Sequence, residues 1–321
     1  MQVCYNLEQI PLLHTRPAVS VGNFDGVHVG HQALIKALVA QAAEASCPAA
    51  AVIFNPHPLA LLRPQRQVFL ITPLEARIRL LEDLGVDIIL CLSFDQALAA
   101  LSPHDFVGQI LVRRLRARWL YEGYNFNFGR SGKGNIALLR QLGDLHDFQV
   151  EQVEPVMMEG APVSSSRVRQ AVAGGDLSWA AQLLGRPYRL WGRVVRGAGR
   201  GGKLLGMPTA NLEVDGLLLP PPGVYAARAG LTATGRVYSA VFNLGLNPTF
   251  SEINTPRLEA HLLDFSDDIY GQEIWVEPAR FLRPEKKYER IDLLKEQMSR
   301  DRGEVRKLLA DKDVYNPEKE S

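Results

Sequence analysis

The chain has 321 residues, 46% of them apolar, which is length enough for two domains with cores of ordinary size. Lys plus Arg number 36 against 35 Asp plus Glu, so the basic excess that a nucleic-acid surface needs is missing and no nucleic-acid partner is expected. Cys4, Cys47 and Cys91 form no CxxC pair and no metal-ligand spacing, and read as small buried residues of a reducing compartment. The first residues lack a charged-then-apolar leader pattern and no apolar run reaches membrane length, so a cytoplasmic protein without a membrane partner is expected.

In chain order, residues 17–21 read as a buried strand, and Gln32 to Val39 begins an amphipathic helix that runs to about Ser46. Residues 49–54 predict a second strand, ended at Asn55-Pro56-His57-Pro58 by the prolines flanking His57. Thr72-Pro73-Leu74-Glu75 predicts a capping box with Pro at the first helical position, opening a helix to about Leu84. Then come a strand over 86–92, a helix from Ser102-Pro103 through Arg116, and a short strand over 119–121. A Gly/Asn-rich loop to Asn135, a helix ending at Gly143 and a strand over 148–153 close the pattern. Strands separated by helices predict an α/β, doubly wound parallel sheet, whose ligands bind at the carboxyl ends of its strands.

The pattern changes near Gly185. Strands predicted over 189–195, 223–230, 237–244, 257–265 and 273–283 follow one another without helices, separated by Gly, Pro and Asn turns. They predict an antiparallel β-barrel. Residues 291–309 predict a C-terminal helix, with Leu293, Leu294, Met298 and Val305 able to pack on the barrel. Two domains are therefore expected, 1–184 and 185–321.

The stretch that organises the first domain is GNFDGVHVGH, Gly22 to His31. It joins a buried strand to a helix, where free N–H groups and a helix N-terminus favour phosphates. His28 and His31 stand three apart, which puts both imidazoles on one side of a first helical turn. Gly30 between them is expected to leave room for a phosphate oxygen. By itself the pattern also fits a capped, solvated helix start.

This stretch resembles the HIGH-type signature of nucleotidyltransferases, and its fuller form resembles the adenylyltransferase half of bacterial bifunctional riboflavin kinase/FAD synthetases. Three further stretches match that family in order: FNPHP from Phe54, GYNFNFG from Gly123 and VSSSRVR from Val163. The resemblance implies that His28 and His31 are catalytic. It implies that Gly22, Phe24, Asp25, Gly30, Asn125, Ser165, Ser166 and Arg169 bind the nucleotide, and that Asn55 and His57 lie at the flavin. Ser166 stands where the family has Thr and keeps the hydroxyl. The chemistry agrees, because adenylyl transfer needs donors around developing phosphate charge and no covalent nucleophile.

The second domain resembles riboflavin kinase. GAGRGGKLLGMPTANL, from Gly197 to Leu212, matches the family's glycine-rich phosphate loop. It implies Gly197, Lys203, Gly206, Thr209 and Asn211 at the nucleotide, with Thr209 and Asn211 offering oxygens to Mg²⁺. Lys203 stands where Arg is common and lacks its bidentate fork. NLGLNPTF, from Asn243, matches a second family stretch. In RLEAHLLDF, Glu259 takes the place of the family's catalytic Glu, and a strand period of two points it with His261, away from Leu258, Ala260 and Leu262. A solvated strand Glu is the alternative. FLRPEKKY implies Arg283 near the flavin.

The expected protein uses ATP and Mg²⁺ to convert riboflavin to FMN, then FMN to FAD with release of pyrophosphate. A nucleotidyltransferase acting on pantetheine phosphate or glycerol phosphate would need no such barrel. A flavin-binding regulator without turnover would not require His28, His31, Thr209, Asn211 and Glu259 together.

Overall fold

The computed structural model describes residues 1–65, 67–196, 209–246 and 256–309. The chain forms two compact units, divided between Ser165 and Ser166. That division falls earlier than the composition change near Gly185, on which the expected boundary rests.

The first unit is built on a six-stranded parallel sheet. Its strands are β1 (Gln2–Cys4), β2 (Ala18–Val21), β3 (Ala49–Asn55), β4 (Ile88–Ser93), β5 (Trp119–Gly123) and β6 (Gln149–Val153), in the spatial order β1-β4-β3-β2-β5-β6. Alternate residues enter opposite cores. Val19, Val21, Val52 and Leu90 pack on one face with Ile110, Leu111 and Leu139. Ala18, Ala51, Ile53 and Ile89 pack on the other with Ile35, Leu38 and Leu81. Burial on both faces is why these strands read as continuous apolar runs.

The helix after β2, α1 (Val29–Glu44), buries Leu34, Ile35, Leu38 and Ala42, one helical stripe. Full burial of Ile35 or Leu38 contributes roughly 1.5–3 kcal/mol each. Between β3 and β4 lie α2 (Pro58–Leu62), which the sequence did not suggest, and α3 (Leu74–Glu82). The expected capping box does not form. Pro73 is the N-cap, and the Thr72 hydroxyl instead accepts the buried Gly26 N–H at 3.0 Å. The helix expected from Ser102 to Arg116 divides: after the short α4 (Gln96–Ala100), α5 (Pro103–Phe106) gives way to a π-helical stretch, Val107–Arg114. Then α6 (Ile136–His146) runs past Gly143, which marks close packing and not a stop: a Cβ there would lie 2.5 Å from the Phe148 carbonyl oxygen. A small hairpin, β7 (Met157–Met158) with β8 (Ala161–Pro162), ends this unit.

The second unit opens with α7 (Ser165–Ala173), assigned to it from Ser166 on, and α8 (Leu177–Leu184). It continues with a closed antiparallel barrel in the order β10-β13-β12-β11-β14-β9. These are β9 (Leu190–Val195), β10 (Ala210–Glu213), β11 (Gly223–Leu231), β12 (Val237–Leu246), β13 (Pro256–Leu262) and β14 (Glu273–Arg283). Strand β10 closes the barrel by pairing with both β9 and β13. The C-terminal helix α9 (Ile291–Leu309) has the expected bounds. Val305 is buried against Ala226 and Leu263, whereas Leu293 is 47% exposed. The face turned to the barrel is Leu294, Met298, Asp301 and Val305, at spacings of four, three and four, and Leu293 falls beside that stripe.

Candidate functional site

In the first unit the strand–turn–helix stretch is drawn tightly together. His28 is the N-cap of α1, and its Nδ1 accepts the backbone N–H of His31 at 3.2 Å. An imidazole that accepts at Nδ1 carries its proton on Nε2. The two imidazoles stack, with centroids 3.6 Å apart and planes 15° from parallel. A Cβ on Gly30 would lie 3.2 Å from the His28 ring. The space that Gly30 leaves is thus taken by His28 and is not a gap between the two histidines for a phosphate oxygen.

Burial, His28 and Arg77, in that order, push the His31 imidazole well below its ordinary pKa, so it is neutral near pH 7. Phe24, buried and with φ at 47°, meets the His31 ring edge-on at 5.2 Å. Asp25 is buried, and its carboxylate accepts the N–H groups of Ile71 and Thr72 at 3.0 and 3.1 Å. Phe24 and Asp25 thus brace the turn. Ser165 donates its hydroxyl to the Asp25 carbonyl at 2.9 Å, which brings the fourth stretch onto the first. Ser166 and Arg169 follow on α7, within the second unit.

A cavity of about 380 Å³ opens beside this turn, with Gly22, Phe24, His31, Glu122 and Asn125 in its wall. From FNPHP the wall takes Phe54 and Pro58, and neither Asn55 nor His57. Asn55 is exposed at the strand end, and His57 caps α2, its Nδ1 accepting the Leu59 N–H at 3.2 Å. Two residues escaped sequence reasoning. Arg77 is fully buried and donates to the Asn23 carbonyl at 2.6 Å, holding the turn from α3. Glu122 is buried at the end of β5, in phase with core Leu120. A carboxyl group in phase with a core residue at a strand's carboxyl end was the available signal.

In the second unit one cross-strand row carries the polar groups. Asn211 on β10 and Asn243 on β12 both stand directly opposite Glu259 on β13. Residues paired in this way share a face, while Leu258, Ala260 and Leu262 are buried on the other. The row borders a cavity of about 370 Å³ between barrel and α9, lined by Thr209, Asn243, Glu259, His261, Arg283 and Glu285. Thr209 also lines a smaller cavity of about 190 Å³, with Asp267, Asp268 and Tyr270.

Glu259 is not free. Its Oε1 accepts from Arg257 at 2.5 Å, two residues away on the same face. Asn243 donates from Nδ2 to Glu285 at 2.9 Å, and its Oδ1 is buried with no hydrogen-bond partner among the described residues. Arg283 is committed to Asp301 on α9, with Nη2 to Oδ2 at 2.7 Å and Nε to Oδ1 at 3.1 Å. Gly197, Lys203 and Gly206 lie outside the described residues. Among the described residues no group of three His, Cys, Asp or Glu side chains is placed to hold a metal ion. Thr209, Asn211 and Glu259 do offer the hard oxygen donors that Mg²⁺ prefers.

The chain thus pairs a parallel α/β unit carrying a histidine-bearing strand–turn–helix with a barrel carrying a polar row centred on Glu259, the architecture of a nucleotidyltransferase joined to a kinase. An FAD synthetase family model matches residues 11–167 and a riboflavin kinase family model matches residues 184–309. The chain is 36% identical over 297 residues to the bifunctional riboflavin kinase/FMN adenylyltransferase of Escherichia coli K12, covering 92% of this chain and 93% of that one. It is also 36% identical to the namesakes from Pseudomonas fluorescens (97% and 98% covered) and Bacillus subtilis (90% and 92%). A solved Streptococcus pneumoniae structure, described as a macrolide-efflux protein, superposes with a TM-score of 0.82 at 31% identity, over 95% of this chain and 98% of that one. Among the described residues of this chain no helix is long and apolar enough to cross a membrane. The chain belongs to the bifunctional riboflavin kinase/FMN adenylyltransferase family.

Proposed function

We infer that the chain carries both activities of its family. It phosphorylates riboflavin with ATP to FMN, and it adenylates FMN with a second ATP to FAD and pyrophosphate. The observation that carries this reading is the presence of two chemically different cavities, one lined by residues of the first unit and one by residues of the second.

In the adenylyl transfer, FMN's phosphate oxygen attacks the α-phosphorus of ATP and pyrophosphate leaves. His28 and His31 serve as donors to the charge that develops, together with N–H groups at the start of α1. Ser165 holds the start of α7 on the turn through the Asp25 carbonyl, and Asn125 lines the pocket. FMN takes the aromatic part of the cavity.

In the kinase step, the 5′-hydroxyl oxygen of riboflavin attacks the γ-phosphorus, the bond to the β-phosphate oxygen breaks, and ADP leaves. Glu259 accepts the hydroxyl proton. The two cavities of this unit share Thr209, which supports nucleotide in the smaller, flavin in the larger and phosphoryl transfer between them. Thr209 and Asn211 would hold Mg²⁺, which when bound neutralises phosphate charge. Arg283 acts by fixing α9 as the wall of the flavin cavity. A kinase activity carried by residues 185–321, which α8 stabilises within the same unit, and a cytoplasmic location belong to this reading. Incubation with riboflavin, ATP and Mg²⁺, followed by separation of the flavins, tests it: FMN and FAD both form. Folded protein that forms no FMN, or no FAD from supplied FMN, contradicts it.

A further inference from the structure

Glu122 and His31 are the two titratable residues among those lining the first cavity. Glu122 is 1% exposed. Its Oε1 accepts the Val21 N–H at 2.8 Å, and its Oε2 is buried with no hydrogen-bond partner among the described residues. Among the described residues no cation pairs with this carboxyl group. From β2 it meets only a backbone N–H, and His31, on the same wall, is itself held neutral. Burial accordingly pushes the carboxyl well above the ordinary range, against the smaller opposing effect of the Val21 N–H. Burial thus favours the neutral acid over the carboxylate. Its Oε1 is satisfied, and its O–H has no partner among the described residues. A buried donor left unbonded is costly, and a bound acceptor removes that cost.

We propose that Glu122 is a specificity-determining residue for FMN, donating a hydrogen bond from its Oε2 hydroxyl to an acceptor atom of the flavin ring. The assignment rests on the reading that this cavity takes FMN. Phe54, Phe94, Phe106, Phe126 and Phe128 line the same cavity, so its surroundings suit a flat, largely apolar ring. The edge of an oxidised flavin carries carbonyl oxygens and imine nitrogens, all acceptors. A neutral acid bonds to them, whereas a carboxylate presents lone pairs to lone pairs. No proton leaves Glu122 in this role; it binds and orients.

The test measures KM for FMN, KM for ATP and kcat of FAD formation with the full chain, for wild type, Glu122→Gln and Glu122→Leu, from about pH 6 to pH 9. Gln keeps the acceptor for Val21 and puts an amide N–H in place of the hydroxyl, so KM for FMN stays within about threefold of wild type. Leu removes the donor and raises KM for FMN about 10- to 100-fold, with KM for ATP unchanged. Wild-type KM for FMN rises with pH relative to Glu122→Gln, because only the wild type loses its donor on ionisation. Thermal melts of the same preparations control for folding. If the Leu variant unfolds, the pH profile of Glu122→Gln against wild type decides alone. An unchanged KM for FMN in a folded Leu variant, a rise in KM for ATP instead, or parallel pH profiles for wild type and Gln overturns the assignment. Wild-type protein that forms no FAD overturns the reading of the cavity, and the role of Glu122 with it.

Discussion

The backbone N–H of His31 donates to Nδ1 of His28 at 3.2 Å while their imidazoles stack 3.6 Å apart. One histidine therefore caps the helix that carries the other, and the pair is positioned as a unit. Gly30 permits it, since a Cβ at that residue would press on the His28 ring.

Gly30→Ala is predicted to move the His28 ring by a few tenths of an ångström. A misplacement of that size costs roughly tenfold or less in rate. FAD formation from FMN falls by about that factor, while riboflavin phosphorylation and Tm stay close to wild type. Parallel kinetics of the two reactions check this, and unchanged FAD formation contradicts it.

Glu122→Gln is predicted to change the pH dependence of stability. Below the ordinary carboxylate pKa, folded and unfolded wild type both hold the Glu122 proton. As pH rises, the unfolded chain releases it while burial makes the folded protein keep it, so wild-type stability falls. His31 titrates in both proteins and cancels in the difference. The Tm of Glu122→Gln minus that of wild type therefore grows from about pH 5 to pH 8. A constant difference contradicts a raised carboxyl pKa.

Asp301→Ala leaves the guanidinium of Arg283, 22% exposed, beside a helix without its partner. Loss of one partner from such an ion pair costs roughly 2–4 kcal/mol. Chemical denaturation of the barrel unit should show this loss, and the KM for riboflavin should rise because α9 bounds the flavin cavity. A wild-type melt with normal KM contradicts the structural role given to the pair.

Much of this architecture was legible because it rests on local periodicity. The continuous burial of β2 to β4 follows from unbroken apolar runs, and the face of Glu259 and the bounds of α9 follow from spacings of two and 3.6 residues. What was not legible depends on distant partners. Thr72 looked like a cap, but the N–H it satisfies belongs to Gly26, 46 residues away. Strand β10 has four residues beside a glycine-rich stretch, and only its pairing with β9 and β13 makes it a strand. The histidine motif pointed to the right turn, yet its spacing could not show that Gly30 accommodates His28. Asn55 and His57 lay in a matching stretch, but Asn55 is exposed at the strand end and His57 caps α2, and Phe54 and Pro58 line the cavity instead.

The division between Ser165 and Ser166 and the composition change near Gly185 make different predictions for fragments. Helix α8 buries Leu177, Ala180, Leu183 and Leu184 and packs on β14 within the second unit. A fragment of residues 166–321 should fold and phosphorylate riboflavin. A fragment of residues 185–321 lacks α8 and should melt at lower temperature. Equal melting of both would place the boundary at Gly185.

The central claim is that two reactions run at two separate sites, and a crossed pair of substitutions tests it most directly. His31→Ala removes a donor to transition-state charge, a loss of roughly 10²–10³ in rate. It should depress conversion of FMN to FAD and leave riboflavin phosphorylation near normal. Glu259→Ala removes the general base, a loss of roughly 10²–10⁴. It should depress FMN formation while supplied FMN still becomes FAD. Both rates are measured for both folded variants at saturating ATP and Mg²⁺. Opposite losses are the predicted result, and a variant that lowers the two rates equally contradicts the account.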